Sequence, residues 1–127
     1  MRVYKNAWFA KFARKEKIGD DALYDAIRRA EQGLIDADLG GGLLKQRVAR
    51  EGAGKSGGYR TQIFFRTGER AVFAFGFSKN VKSNLNADEL AELKKAAKEY
   101  LAFSQHQIDA LVKIERLKEV SGGDKNL

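Results

Sequence analysis

The spacing of apolar positions divides the chain into helical and extended stretches. Val3 and Tyr4 predict a short opening strand at best. From Asn6 the interval becomes helical: Trp8, Phe9, Phe12 and Ala13 recur on one side, with Lys11, Arg14 and Lys15 on the other. Gly19 and Asp20 break this helix and start a second, whose stripe is Leu23, Ile27 and Ala30 and whose stop is Gly33. The pair reads as a helical hairpin. Its apolar side must be buried, and a sheet is the expected support.

The following stretch alternates. From Leu43 to Arg50, Leu44 and Val48 fall on one face, Lys45 and Arg47 on the other. Residues 51–58, rich in glycine, predict a flexible connection. Tyr59 to Thr67 predicts a strong strand with Tyr59, Thr61, Ile63 and Phe65 on one face and Arg60, Gln62, Phe64 and Arg66 on the other. Thr67-Gly68-Glu69-Arg70 predicts a tight hairpin turn. In the next strand, Ala71 to Ser78, strict alternation would put Phe73, Phe75 and Phe77 together, opposite Val72, Ala74 and Gly76.

Asn86 with Glu89 predicts a capping box, followed by the stripe Leu90, Leu93, Ala97, Tyr100 and Leu101. Ser104 with Gln107 predicts a second box, so a break is expected near Ser104 before Ile108, Leu111 and Val112. Ile114 to Val120 fits either a helix or a last strand. Residues 1–120 are expected to form one α+β domain, with 121–127 as a flexible tail.

Composition narrows the function. The 127 residues include no cysteine and one histidine, His106, which excludes thiolate nucleophiles, zinc fingers and any site needing two histidines. No apolar run reaches the roughly 18 residues of a membrane span, and the first residues, Met1 to Asn6, lack the apolar core of a signal peptide. A cytoplasmic location with no membrane partner is expected. The net charge is +7, and its position matters more than its size. Residues 42–82 hold nine basic groups against Glu51 and Glu69 alone, whereas the flanking thirds nearly balance. A basic working face for a polyanion is therefore expected.

Gly54-Lys55-Ser56 invites a phosphate-loop reading, but Ala49 stands where the first glycine should be, and the segment leads into a strand rather than a helix. His106 lies outside the basic third. Asp20/Asp21 and Asp88/Glu89 are better read as helix caps than as acid–base pairs, and Asp36 and Asp38, in a glycine-flanked loop, make a weak metal site. No metal or cofactor is expected. What remains is the cationic set Lys45, Arg47, Lys55, Arg60, Arg66, Lys79 and Lys82. Such a cluster can simply hold phosphates. It can also cleave RNA, an arginine stabilising the charge on a pentacoordinate phosphate while a lysine made less basic by its cationic neighbours takes the 2′-OH proton. Residue types alone leave both open.

The run Gly57-Gly58-Tyr59-Arg60-Thr61-Gln62-Ile63-Phe64-Phe65-Arg66, followed by Arg70 to Asn80, resembles the RelE/HigB-type toxins of bacterial type II toxin–antitoxin modules. The likeness extends upstream to Leu44 through Arg50 and downstream to Asp88-Glu89-Leu90. It implies a RelE-like fold, a helical hairpin packed on a twisted, mainly antiparallel sheet with C-terminal helices. It also implies a metal-independent endoribonuclease that cuts messenger RNA in the ribosomal A site, neutralised by a cognate antitoxin, in the HigB-like branch a helix-turn-helix protein of HigA type. By this resemblance Arg60 matches the phosphate-stabilising arginine, and Lys79 and Lys82 fall where a further catalytic cation follows the last core strand. Lys45, Arg47 and Lys55 match substrate-holding or base positions, and Arg66 joins them as an RNA contact. Some relatives carry a late catalytic tyrosine; Asn80 to Asn86 contains none, and Tyr100 is expected in the core. The rival readings are a ParE-like inhibitor of DNA gyrase on the same fold and a generic RNA-binding module.

Overall fold

A computed structural model describes the backbone of residues 1–50 and 54–121, and the side chains of all of these except 54–56. The elements run β1 (Arg2–Asn6), α1 (Ala7–Glu16), α2 (Asp20–Glu31), β2 (Ala37–Gly40), β3 (Leu43–Arg50), β4 (Gly54–Arg66), β5 (Arg70–Ser78), α3 (Ala87–Ala102), α4 (Gln105–Lys113) and β6 (Leu117–Glu119). The six strands form one sheet in the order β2-β3-β4-β5-β1-β6, antiparallel except for β1 beside β5. The architecture is the expected α+β arrangement.

Helices cover both faces. Val3, Val48, Ile63 and Phe73 pack against Phe9 and Ala13 of α1 and Leu23 and Ile27 of α2. Tyr4, Leu43, Phe64 and Val72 pack against Ala97 and Leu101 of α3 and Ile108 of α4. Side chains alternate across a strand, so β3, β4 and β5 feed two cores. Both capping boxes form as expected, Asn86 with Glu89 and Ser104 with Gln107, and they separate α3 from α4. Each cap typically contributes about 1 kcal/mol.

Four expectations need correction. The glycine-flanked stretch holding Asp36 and Asp38 is not only a loop: Ala37–Gly40 pairs with β3 as an edge strand. β1 is an interior strand of five residues, because β6 pairs with its far side; this also decides Ile114 to Val120, where Leu117–Glu119 is strand. The expected connection over 51–58 is shorter, since β4 already begins at Gly54, paired with Arg50, and 51–53 lie outside the described residues. Gly58 belongs to the strand for a packing reason, as a Cβ there would stand 2.3 Å from the Val48 carbonyl oxygen.

The fourth correction bears on the site. Ile63 pairs with Phe73 but Gln62 pairs with Phe75, so Ala74 is an extra residue in β5. Such a bulge shifts the alternation by one. Phe73 stays with α1 and α2, while Phe75 and Phe77 turn to the opposite face, beside Gln62 and Arg60. Asn6 secures the irregularity: its Oδ1 accepts from the Phe9 N–H at 2.8 Å to cap α1, and its Nδ2 donates to the Ala74 carbonyl at 3.0 Å.

Candidate nucleic-acid interface

The α3 face of the sheet is only partly covered. Towards the β4 end that carries Arg60, helix packing stops and a polar, cationic patch begins. Register puts Lys45 opposite Gln62, Arg47 opposite Arg60, and Arg60 opposite Phe77, all on this face. Two arginines directly opposed would repel. Asp36, just before β2, relieves this by standing 3.6 Å from both Arg47 Nε and Lys45 Nζ. Lys45 also donates to Asn84 at 3.3 Å, linking β3 to the segment before α3.

Arg60 is treated differently. The residue is 8% exposed, and its Nη1 is buried without a hydrogen-bond partner among the described residues. Leaving a buried guanidinium nitrogen without a partner is costly, and among the described residues no carboxylate pairs with Arg60. Gln62, fully buried, likewise has no partner for either amide atom among the described residues. It lines a cavity of about 310 Å³ with Leu39, Lys45, Phe77, Asn84 and Leu90.

Lys82 completes the patch. The chain turns after β5, with the Val81 and Lys82 N–H groups donating to the Ser78 carbonyl. The Lys82 ammonium lies 5.9 Å from the ring centroids of both Phe75 and Phe77, within cation–π range. It also donates to Glu89. That hydrogen bond, with a second from the Asn86 N–H, holds the Glu89 carboxyl below its ordinary 4.5. Lys79 is exposed at the end of β5.

The structure therefore brings together Arg60, Lys45, Arg47 and Lys82, with Lys79 at the margin. Lys55 is among the residues whose side chains lie outside those described. Arg66 lies apart, six residues along β4 from Arg60, or about 20 Å. Its Nη1 donates to the Leu101 carbonyl at 2.8 Å, while its register partner Arg70 donates to the carbonyls of Tyr100 and Phe103. Together they cap the C-terminus of α3, where cations meet the negative end of the helix. Tyr100, expected in the core, is a half-buried ring packed against it, 5.4 Å from Phe64, and His106 is exposed on α4. Sequence reasoning missed Asp36 and Glu89 as counter-charges and Gln62 as a site residue. Gln62 did leave a signal: an amide on an inward strand position between Arg60 and Phe64.

A larger hollow of about 580 Å³ opens on the α2 side, lined by Glu16, Asp21, Arg50 and Tyr59. Tyr59 places its phenol at this hollow. Burial and the Glu16 carboxylate, which accepts from Tyr59 Oη at 3.1 Å, push the Tyr59 hydroxyl above its ordinary 10.

A family model of the RelE toxin of the RelE/RelB toxin–antitoxin system matches residues 1–120. The chain belongs to the RelE toxin family. The match spans all six strands and four helices of this RelE-type toxin, including the whole cationic face. A search of curated proteins found no match. A toxin of such a system has an antitoxin partner. Among the described residues, no helix is long and apolar enough to cross a membrane.

Proposed function

We propose that this RelE-family chain is the mRNA-cleaving toxin of a type II module, of the HigB-like branch. It acts in the cytoplasm on messenger RNA in the ribosomal A site and is silenced by a helix-turn-helix antitoxin of HigA type. The working domain is residues 1–120; Ser121 beyond it is hydrogen-bonded to Asp20, and 122–127, expected as a flexible tail, lie outside the described residues. The observation that carries the reading is Arg60: a nearly buried guanidinium whose Nη1 has no hydrogen-bond partner among the described residues, with Arg47 directly opposite, suits an anion.

A phosphodiester fits that site. The substrate's 2′-oxygen attacks the adjacent phosphorus and the bond to the 5′-oxygen breaks. The 2′-OH proton leaves to a base and the 5′-oxygen gains one, giving a 2′,3′-cyclic phosphate and a 5′-hydroxyl. Arg60 stabilises the added negative charge on the pentacoordinate phosphate, and Lys82 and Lys79 supply the flanking charge. Lys45, Arg47 and Lys55 hold the strand. The ribosome supplies the in-line alignment that a cationic patch cannot enforce alone.

Primer extension on translated messages, with and without ribosomes, tests this. New 5′ ends only with ribosomes, and 3′ ends carrying a cyclic phosphate, are expected. Cleavage should resist a 2′-deoxy sugar at the cut site and persist when magnesium serves only to preserve the ribosome. Absence of new ends together with trapped gyrase–DNA breaks would overturn it in favour of gyrase inhibition.

A further inference from the structure

Trp8 is the only tryptophan in the chain, and it is 45% exposed at the start of α1. Its indole stacks on Phe12 at 5.2 Å and 16°, and lies 4.6 Å from Phe75. Phe75 continues the row to Phe77 at 6.3 Å, and Phe77 stands opposite Arg60 on the neighbouring strand. This row exists because of the bulge at Ala74. With regular alternation Phe75 would face α1 and α2, and the rings would not lead to the cationic patch.

We propose that Trp8 and Phe75 form a base-stacking platform for single-stranded RNA, continuing the site in which Arg60 holds the phosphate; the inference rests on that reading of Arg60. Charge complementarity selects the occupant. Lys82 sits over the rings of both Phe75 and Phe77, so a cation lies directly against the aromatic row. A partner that offers flat π-faces beside a negative backbone meets both, and single-stranded nucleic acid does. An acidic protein helix would satisfy the cation and leave the half-exposed indole without a matching plane.

The single tryptophan is the reporter. A short 2′-O-methyl oligoribonucleotide, which cannot be cut through its 2′-oxygen, should quench Trp8 emission, and an abasic strand of equal length should not. Trp8→Ala should weaken binding of the labelled oligonucleotide about tenfold to a hundredfold, with Trp8→Phe recovering most of it. If Trp8→Ala fails to fold, Phe75→Leu keeps the reporter and should reduce both quenching and affinity. Equal quenching by the abasic strand, or undiminished affinity in a folded Trp8→Ala protein, would overturn the platform. Emission that responds to the antitoxin and never to the oligonucleotide would likewise overturn it, assigning the surface to a protein. Because the probe cannot be cleaved, stacking is read independently of catalysis. A toxin that cuts ribosome-bound message while Trp8 stays silent refutes the platform alone; one that stacks bases but cuts nothing refutes only the nuclease reading.

Discussion

The Lys82 ammonium and the Glu89 carboxylate join the turn after β5 to the first turn of α3. The same carboxylate accepts from the Asn86 N–H at 2.9 Å, so one side chain both caps a helix and neutralises a site cation. A helix start is thereby tied to the electrostatics of the cationic face.

Glu89→Gln should separate these two duties. Glutamine serves the capping box as well as glutamate, so stability should change little. Lys82 loses its counter-charge and becomes free for a phosphate. RNA affinity should rise several-fold, and the salt slope of binding should steepen by roughly 0.7, the increment for one more phosphate on a single strand. Binding isotherms at several salt concentrations check this, and an unchanged slope would mean that Lys82 does not reach the RNA.

Arg60→Met should trade function for stability. Methionine fills similar space without a buried, unpartnered cation, so the variant should unfold at equal or higher denaturant concentration than wild type. Growth inhibition should disappear, with cleavage reduced on the order of 100- to 1000-fold. Urea melts and cleavage assays on the same preparation measure both. A destabilised variant would indicate that Arg60 is a structural residue.

Acid should loosen the junction of β1, α2 and Ser121, which follows β6. Lys5 donates to Asp20 Oδ1 at 2.9 Å, and the Ser121 N–H and hydroxyl donate to Oδ2. Burial pushes the Asp20 carboxyl up, but these hydrogen bonds outweigh it and hold the group below its ordinary 3.8. A depressed carboxylate contributes stability above its unfolded value and loses it as pH falls through the folded one. The stability gap between wild type and Asp20→Asn should therefore be constant near neutral pH and narrow below about pH 4. Urea unfolding across pH would show it.

Gln46→Leu tests the other face. Its Nε2 donates to the carbonyls of Ala26 at 3.0 Å and Leu34 at 2.9 Å, tying β3 to α2 and to the segment entering β2. Leaving these acceptors unmet in a buried place should cost about 1–3 kcal/mol. Oligonucleotide binding by the remaining folded protein should be unaffected, because Gln46 points away from Arg60. Thermal melts paired with binding assays check both halves.

Features set by neighbours in the chain were legible without coordinates. Capping boxes need residues three apart, helix stripes need three or four, and the β4–β5 turn needs one short segment with Gly68 at a positive φ. The Arg60 face of β4 was equally readable, since alternation holds while a strand stays regular. It failed in β5 at Ala74, where the extra residue is held by Asn6, sixty-eight positions away. Likewise β1 became an interior strand only because Leu117–Glu119 returns to pair with it.

The division of the cations had the same origin. Arg60 and Arg66 share a strand face and a residue type, so nothing local shows which of them caps a helix and which stays without a carboxylate. Folding distinguishes them: the end of α3 meets Arg66, while no described carboxylate reaches Arg60 and Asp36 pairs instead with Lys45 and Arg47. Backbone propensity and side-chain period act over a few residues and declare themselves in order along the chain. Which charge remains without a partner depends on what distant segments bring to each end of the sheet, and only long-range packing settles that.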